Sequence, residues 1–168
     1  DELVITHISN FRPVKKVQNI IKAFCKITRQ VNAKLLLVGD GPDLSWCKII
    51  ADKLGLNDRI YFMGPMEDIV PILSICDLYM LPSKSESFGL SALEALSCSV
   101  PVIGTKNGGL PEVVQEGISG YLTDPDDVDA IAAAALRVLS SKKSIEDMGI
   151  NARKRALLFD SNKVVPQY

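Results

Sequence analysis

Residues 82–112 read PSKSESFGLSALEALSCSVPVIGTKNGGLPE, and this stretch decides the fold. The apolar run Leu78–Leu81 feeds a polar loop. The loop feeds a helix expected to begin near Phe88 or Gly89 and to end at about Ser97, with Ser87 as its cap. The apolar run Pro101–Gly104 follows at once. Strand, loop, helix and strand in so short a span form one β-α-β unit. Glu86 stands at the mouth of the helix and Glu94 about two turns inside, roughly 12 Å further along for eight helical residues. Between them the free backbone N–H groups of the first turn form an anion cradle carrying partial positive charge. Carboxylate, cradle and carboxylate suit an elongated ligand with hydroxyls at both ends and an anionic middle, such as a nucleotide sugar. Either glutamate alone also reads as an ordinary solvated charge near a helix end. The apolar neighbours Ala92, Leu93, Ala95 and Leu96 argue that Glu94 sits in a mostly buried helix. The small residues Ser91, Ala92, Ala95 and Ser97 leave room for a close approach.

Outward from this unit the same alternation continues. Strands are expected at Leu3–Ile8, Lys34–Val38, Arg59–Met63 and Gly120–Thr123. Helices are expected at Val17–Arg29, Leu44–Leu54, Asp68–Ile75, Pro111–Gln115, Val128–Leu139 and Ser144–Phe159. Val17, Ile20, Ile21, Phe24 and Ile27 share one helix face, and Gly55 suits a left-handed helix stop. Asp126 or Asp127 is the expected cap of the helix at 128, and Ser144 of the last one. Right-handed crossovers then give an α/β fold with a Rossmann-like, doubly wound parallel sheet. Ligands of such sheets bind beyond the carboxyl ends of the strands. Here those segments are 9–16, 39–42, 64–67, 82–88, 105–109 and 124–127. No repeat or second domain is visible in the 168 residues, so one domain spans 1–168.

The bulk numbers narrow the function. A net charge of −1 with no long basic run argues against nucleic acid as a partner. The 47% hydrophobic content is ample for a core. Cys25, Cys47, Cys76 and Cys98 are scattered, which suggests buried free thiols in a reducing cytoplasm. The single histidine, His7, has no partner at metal-ligand spacing. The most apolar run, 69–81, is too short for a transmembrane segment and contains Asp77.

Several short motifs admit two readings. Gly39-x-Gly41 is a partial dinucleotide fingerprint without its third glycine, or a plain strand-to-helix turn. Arg12, Lys15 and Lys16 form a cluster that reaches a diphosphate, or a solvated loop. Gly108-Gly109 brings backbone N–H groups against a sugar, or merely turns the chain. Asp124-Pro125-Asp126-Asp127 reads as helix capping rather than metal ligation. Ser83, Ser85 and Ser87 have no nearby histidine in the sequence, so a serine hydrolase is disfavoured.

Glu86-x7-Glu94 within ESFGLSALEA, Pro101-Val-Ile, GGLPEVV at 108–114, GDGP at 39–42 and RIYFMG at 59–64 occur together and in order over nearly the whole chain. In this the chain resembles the C-terminal, donor-binding half of retaining GT-B glycosyltransferases of family 4. THISNFRPVKK at 6–16 more narrowly resembles the bacillithiol-pathway members that join N-acetylglucosamine to L-malate. The resemblance implies that Glu86 contacts donor sugar hydroxyls and that Glu94 holds the ribose. It implies that the amides of Phe88, Gly89 and Leu90 meet the diphosphate, and that Lys15 is the diphosphate lysine. It places the Gly64–Met66 backbone along the uracil, and Gly108 and Gly109 close to the donor; Gly39 and Gly41, in the matching GDGP turn, are expected to let a phosphate or ribose approach. Asn10 stands where the family commonly has arginine, and Arg12 is the expected substitute. Ser99 stands at a usual glycine.

The resemblance further implies a UDP-sugar donor, UDP-N-acetylglucosamine, with no cofactor and no metal. The expected acceptor is a small molecule, L-malate, held by an N-terminal domain outside this chain. The chain begins at Asp1 and reaches a strand at once, as a piece cut at a domain boundary would. The helix that crosses back to the acceptor domain in the family would be cut short at Tyr168. The fragment alone is expected to bind donor without turnover, and the full-length enzyme is open to homo-oligomer formation. Competing readings are a family 4 transferase with a lipid or polysaccharide acceptor, a UDP-N-acetylglucosamine 2-epimerase-like half, a non-catalytic nucleotide-binding module and, least supported, an NAD dehydrogenase.

Overall fold

The computed structural model describes residues 2–159. Its elements, in chain order, are β1 (Leu3–Ile8), α1 (Val17–Ile27), β2 (Ala33–Val38), α2 (Leu44–Lys53), β3 (Ile60–Gly64), α3 (Val70–Ser74), β4 (Leu78–Met80), α4 (Leu90–Ser97), β5 (Val102–Thr105), α5 (Leu110–Val113), β6 (Gly120–Thr123), α6 (Val128–Val138) and α7 (Lys142–Ala156), with 3-10 turns at Pro13–Lys15 and Leu157–Phe159. The strands form one parallel sheet in the order β3-β2-β1-β4-β5-β6. This is the Rossmann-like, doubly wound arrangement expected from the alternation. The strand order reverses between β1 and β4, which opens a crevice at their carboxyl ends.

Strand side chains alternate between two apolar layers. One layer joins Ile5, Leu35, Leu37, Leu78 and Met80 to the buried faces of α1, α2 and α6. Val17, Ile20, Ile21, Phe24 and Ile27 of α1 are all fully buried there, the stripe that the 3.6-residue period marks. The other layer joins Tyr79, Leu81 and Val102 to α4, α5 and α7 through Ala92, Ala95, Leu96, Leu110 and Ala152. Cys47 is buried; Cys25, Cys76 and Cys98 are half-buried, and none is disulfide-bonded. No described helix is long and apolar enough to cross a membrane.

Two helix caps differ from the sequence reading. Helix α7 is capped by Ser141, whose Oγ accepts the Ser144 N–H at 3.0 Å. The two serines lie three apart, so Ser144 occupies the donating position rather than the cap. Helix α4 begins at Leu90 behind Gly89, and Ser87 does not cap it. Gly89 takes φ 80°, ψ 49°, a left-handed conformation that costs a residue with a Cβ roughly 1–2 kcal/mol. Of the two candidates for α6, Asp127 is the cap and accepts the Ala130 N–H at 2.8 Å.

Candidate functional site

The carboxyl ends of β1 and β4 carry the two loops that flank the crevice. The first, 9–16, ends in a 3-10 turn with Lys15 in its last position and Lys16 left-handed at φ 54°. The second, 82–88, leads to Gly89. A backbone hydrogen bond from Lys84 N–H to the Val14 carbonyl, 2.8 Å, ties the loops together. Above it the Lys15 ammonium and the Glu86 carboxylate form an ion pair. Both side chains are mostly shielded, with 21% and 12% of their surface exposed. The crevice therefore holds a positive and a negative group at one point, shared between loops 71 residues apart in sequence.

Helix α4 starts beside this pair without a side-chain cap. The N–H groups of Phe88, Gly89 and Leu90 meet no hydrogen-bond acceptor among the described residues. They sit at the positive end of the helix, where an anion is favoured. Glu94, one turn into the helix, is half-buried, and burial holds its carboxyl above the usual range. Arg12 is exposed and makes no ion pair among the described residues. Lys16 turns away to Asp126, at 2.6 Å.

The glycines act through packing. A Cβ on Gly39 would stand 1.7 Å from the Ser9 carbonyl oxygen, and one on Gly41 1.9 Å from that of Asn10. The partial fingerprint is thus the seat on which the 9–16 loop rests. Gly108 and Gly109 seat the other loop in the same way. Their added Cβ atoms would lie 2.2 Å from the Glu86 and Ser87 carbonyl oxygens, and the Gly109 N–H donates to Glu86 at 2.8 Å. Gly64, with φ 72°, and the exposed Met66 follow β3 at the far side of the 39–42 turn, where the Gly39 N–H donates to the Gly64 carbonyl at 2.8 Å.

Sequence reading set His7 aside because it has no metal-ligand partner, and the structure gives it a place. It is fully buried at the β1–β4 seam. Its Nδ1 lies 2.7 Å from the Met80 carbonyl oxygen, and its Nε2 lies 2.7 Å from Ser9 Oγ. Burial drives its pKa down to about 4, so the ring is neutral near pH 7. A carbonyl only accepts, so Nδ1 carries the proton and Nε2 accepts from the Ser9 hydroxyl. Ser9 Oγ in turn accepts the Phe11 N–H at 3.2 Å. Tyr79 returns the link from β4, its hydroxyl donating to the Ile8 carbonyl at 3.2 Å. A buried-polar position at the end of an apolar strand, next to a loop rich in cations, is the signal that would have found His7.

Asp124 and Asp127 are occupied locally: Asp124 Oδ1 accepts the Asp126 N–H at 2.9 Å, and Asp127 caps α6. A groove of about 470 Å³ opens at the opposite, amino-terminal ends of the strands, lined by Leu3, Val31, Asn32, Asp77 and Leu139 among others. Its lining also carries Glu2, Lys142 and Glu146, but none of the residues singled out from the sequence as site candidates.

Known proteins resemble this chain in sequence and in fold. The chain is 44% identical over 168 residues to N-acetyl-alpha-D-glucosaminyl L-malate synthase of Bacillus anthracis, covering 99% of this chain and 44% of that protein. It is 34% identical over 149 residues to D-inositol 3-phosphate glycosyltransferase of Mycobacterium marinum, covering 84% of this chain and 31% of the relative. Sucrose-phosphate synthase of Thermosynechococcus elongatus superposes with a TM-score of 0.91 at 29% identity, over 99% of this chain and 44% of that one. The Anabaena protein HepE, solved in complex with UDP-glucose, superposes with a TM-score of 0.86 at 28% identity, over 93% and 44%. The chain thus spans less than half the length of each of these proteins. Residues 1–155 match the family described as Glycosyl transferases group 1, and with a family match across nearly its whole length the chain belongs to that family.

Proposed function

We propose that the chain is the donor-binding domain of a retaining glycosyltransferase that moves N-acetylglucosamine from UDP-N-acetylglucosamine to L-malate. The observation that carries this reading is the meeting of Lys15 and Glu86 beside the uncapped start of α4. A diphosphate needs a cation and free N–H donors; a sugar needs a carboxylate to accept from its hydroxyls. The crevice offers all three together. The identity to the Bacillus anthracis malate synthase supports the choice of sugar and acceptor, and the partial coverage of the relatives supports an acceptor domain outside this chain.

In this reading the bond between the sugar C1 and the β-phosphate oxygen breaks as the bond from C1 to the malate hydroxyl oxygen forms on the same face. The hydroxyl proton passes to the departing phosphate. Negative charge grows on that phosphate, and Lys15, Arg12 and the N–H groups of Phe88, Gly89 and Leu90 stabilise it by fixed, pre-oriented charge. These groups would do what a metal ion does elsewhere, so the reaction needs no metal. Glu86 orients the sugar, Glu94 accepts from the ribose hydroxyls, the Gly39–Gly41 turn lets the phosphate or ribose approach, and the Gly64–Met66 backbone flanks the base. Gly108 and Gly109 hold the Glu86 loop against the donor. The cytoplasm, where nucleotide sugars are made, is the expected compartment.

The test is product formation by the full-length enzyme that contains this chain, from UDP-N-acetylglucosamine and L-malate, with and without EDTA, followed by the anomeric configuration of the product. An α-linked malate glycoside formed equally in both is the expected result. A β-linked product would refute retention, and loss of turnover in EDTA would refute the metal-free site.

A further inference from the structure

We infer that His7 is a positioning residue for the anion-binding loop: its neutral ring holds Ser9, and through Ser9 the 9–16 turn that presents Lys15. This inference rests on the donor-site reading above, because it assigns the 9–16 loop to the diphosphate. Three observations converge on it. First, β1 and β4 register only two residue pairs, Ile5 with Leu78 and Thr6 with Tyr79, before they part to open the crevice. Beyond that point the link between the strands passes to side chains, His7 to the Met80 carbonyl and Tyr79 to the Ile8 carbonyl. Second, the turn that follows is conformationally demanding. Phe11 is fully buried with φ 38°, and Lys16 has φ 54°. A left-handed residue with a Cβ needs its surroundings to hold it there. The Ser9 hydroxyl does this at Phe11 by accepting its N–H, and His7 Nε2 fixes that hydroxyl by taking its proton. Third, the chain of bonds is directional. Phe11 N–H donates to Ser9 Oγ, Ser9 O–H donates to His7 Nε2, and His7 Nδ1–H donates to Met80. Reversing the ring tautomer would set a donor against the Ser9 proton and leave the Met80 carbonyl without its partner.

The consequence is selective. The loop that His7 supports carries the cation, whereas the end of β3, with Gly64–Met66, lies on the other side of β2. Loss of the support should misplace Lys15 and leave the nucleoside contacts at Gly64–Met66 alone. The experiment compares UDP with uridine as ligands of the protein and of the Ser9→Ala, Ser9→Thr and His7→Asn variants. An asparagine retains a donor toward Met80 and does not reach Ser9. Ser9→Ala and His7→Asn should each weaken UDP about tenfold, the worth of one charge-assisted contact. Uridine affinity should not change, and Ser9→Thr, which keeps the hydroxyl, should restore UDP binding. Nitrogen NMR of the histidine that disappears in His7→Asn should report a protonated Nδ1 and a bare Nε2. Equal UDP affinity in wild type and Ser9→Ala would overturn the inference, as would a parallel loss of uridine or the opposite tautomer. Absence of UDP binding by the wild type would instead bring down the donor-site reading, and this inference with it.

Discussion

Two kinds of helix start stand side by side in this sheet. Helices α6 and α7, which pack on α1 and α4, begin behind Asp127 and Ser141, whose side chains accept the N–H groups at Ala130 and Ser144. Helices α1 and α4, which follow the two strands that flank the crevice, begin behind left-handed residues, Lys16 and Gly89, and have no side-chain cap. The first kind satisfies its own backbone and contributes to stability. The second kind, at α4, leaves donors and positive potential beside the Lys15–Glu86 pair, and both of its starts rely on distant supports to hold their shape: Gly39 and Gly41 under one loop, Gly108 and Gly109 under the other, and His7 at the seam. The difference teaches that the loops flanking the crevice are assembled from tertiary packing, whereas the starts of α6 and α7 are assembled from local caps.

Acid should break the comparison most strongly. Folding holds the His7 pKa near 4 against 6.5 for an exposed imidazole, chiefly through burial, with Lys15 lowering it further while the Met80 bond and Glu86 oppose. Between those values the unfolded chain binds a proton that the folded chain does not, so the folded state loses stability as pH falls from 6.5 toward 4. The loss approaches about 3 kcal/mol. Urea unfolding at neutral pH and near pH 4 should show this slope in the wild type and a flatter one in His7→Asn. Next in size is Gly89→Ala. The left-handed backbone costs about 1–2 kcal/mol, and the new Cβ would lie 2.4 Å from a Leu110 methyl that must move. Thermal unfolding should fall, and UDP affinity with it, as the amides of Phe88 to Leu90 turn. Asp127→Ala should lower stability by about 1 kcal/mol, the value of an N-cap, and leave UDP affinity unchanged. A loss of UDP binding there would erase the distinction between the two kinds of helix start. The smallest effect has the opposite sign. Ser99 is left-handed at φ 62°, so Ser99→Gly should stabilise by roughly 0.5 kcal/mol, strain relief being partly offset by a freer unfolded chain.

The elements and their local caps were the more legible part of the sequence, and the comparison explains why. Strand and helix periodicity marked each element within a few residues, because burial on two sheet faces and on one stripe of α1 writes itself into the spacing of apolar residues. Asp127 could be read because caps act over three residues. Ser141 was missed in favour of Ser144 because the two serines are interchangeable to a local rule. The crevice depended on contacts that no local rule sees. The meeting of Lys15 with Glu86 spans 71 residues, and the bond from His7 to Met80 spans 73. Glycine at 39, 41, 108 and 109 signalled close approach correctly, but what approaches is the neighbouring loop backbone. Ser87 looked like a cap because its type is right, yet the turn into α4 needs a left-handed residue and Gly89 supplies it.

The most direct test of the account is calorimetric titration of the protein with UDP in EDTA, repeated for Lys15→Ala. The account predicts saturable, EDTA-insensitive binding that Lys15→Ala weakens by about 1.5–3 kcal/mol, roughly ten- to hundredfold. No heat of binding at millimolar UDP, or identical affinity in the variant, would contradict it.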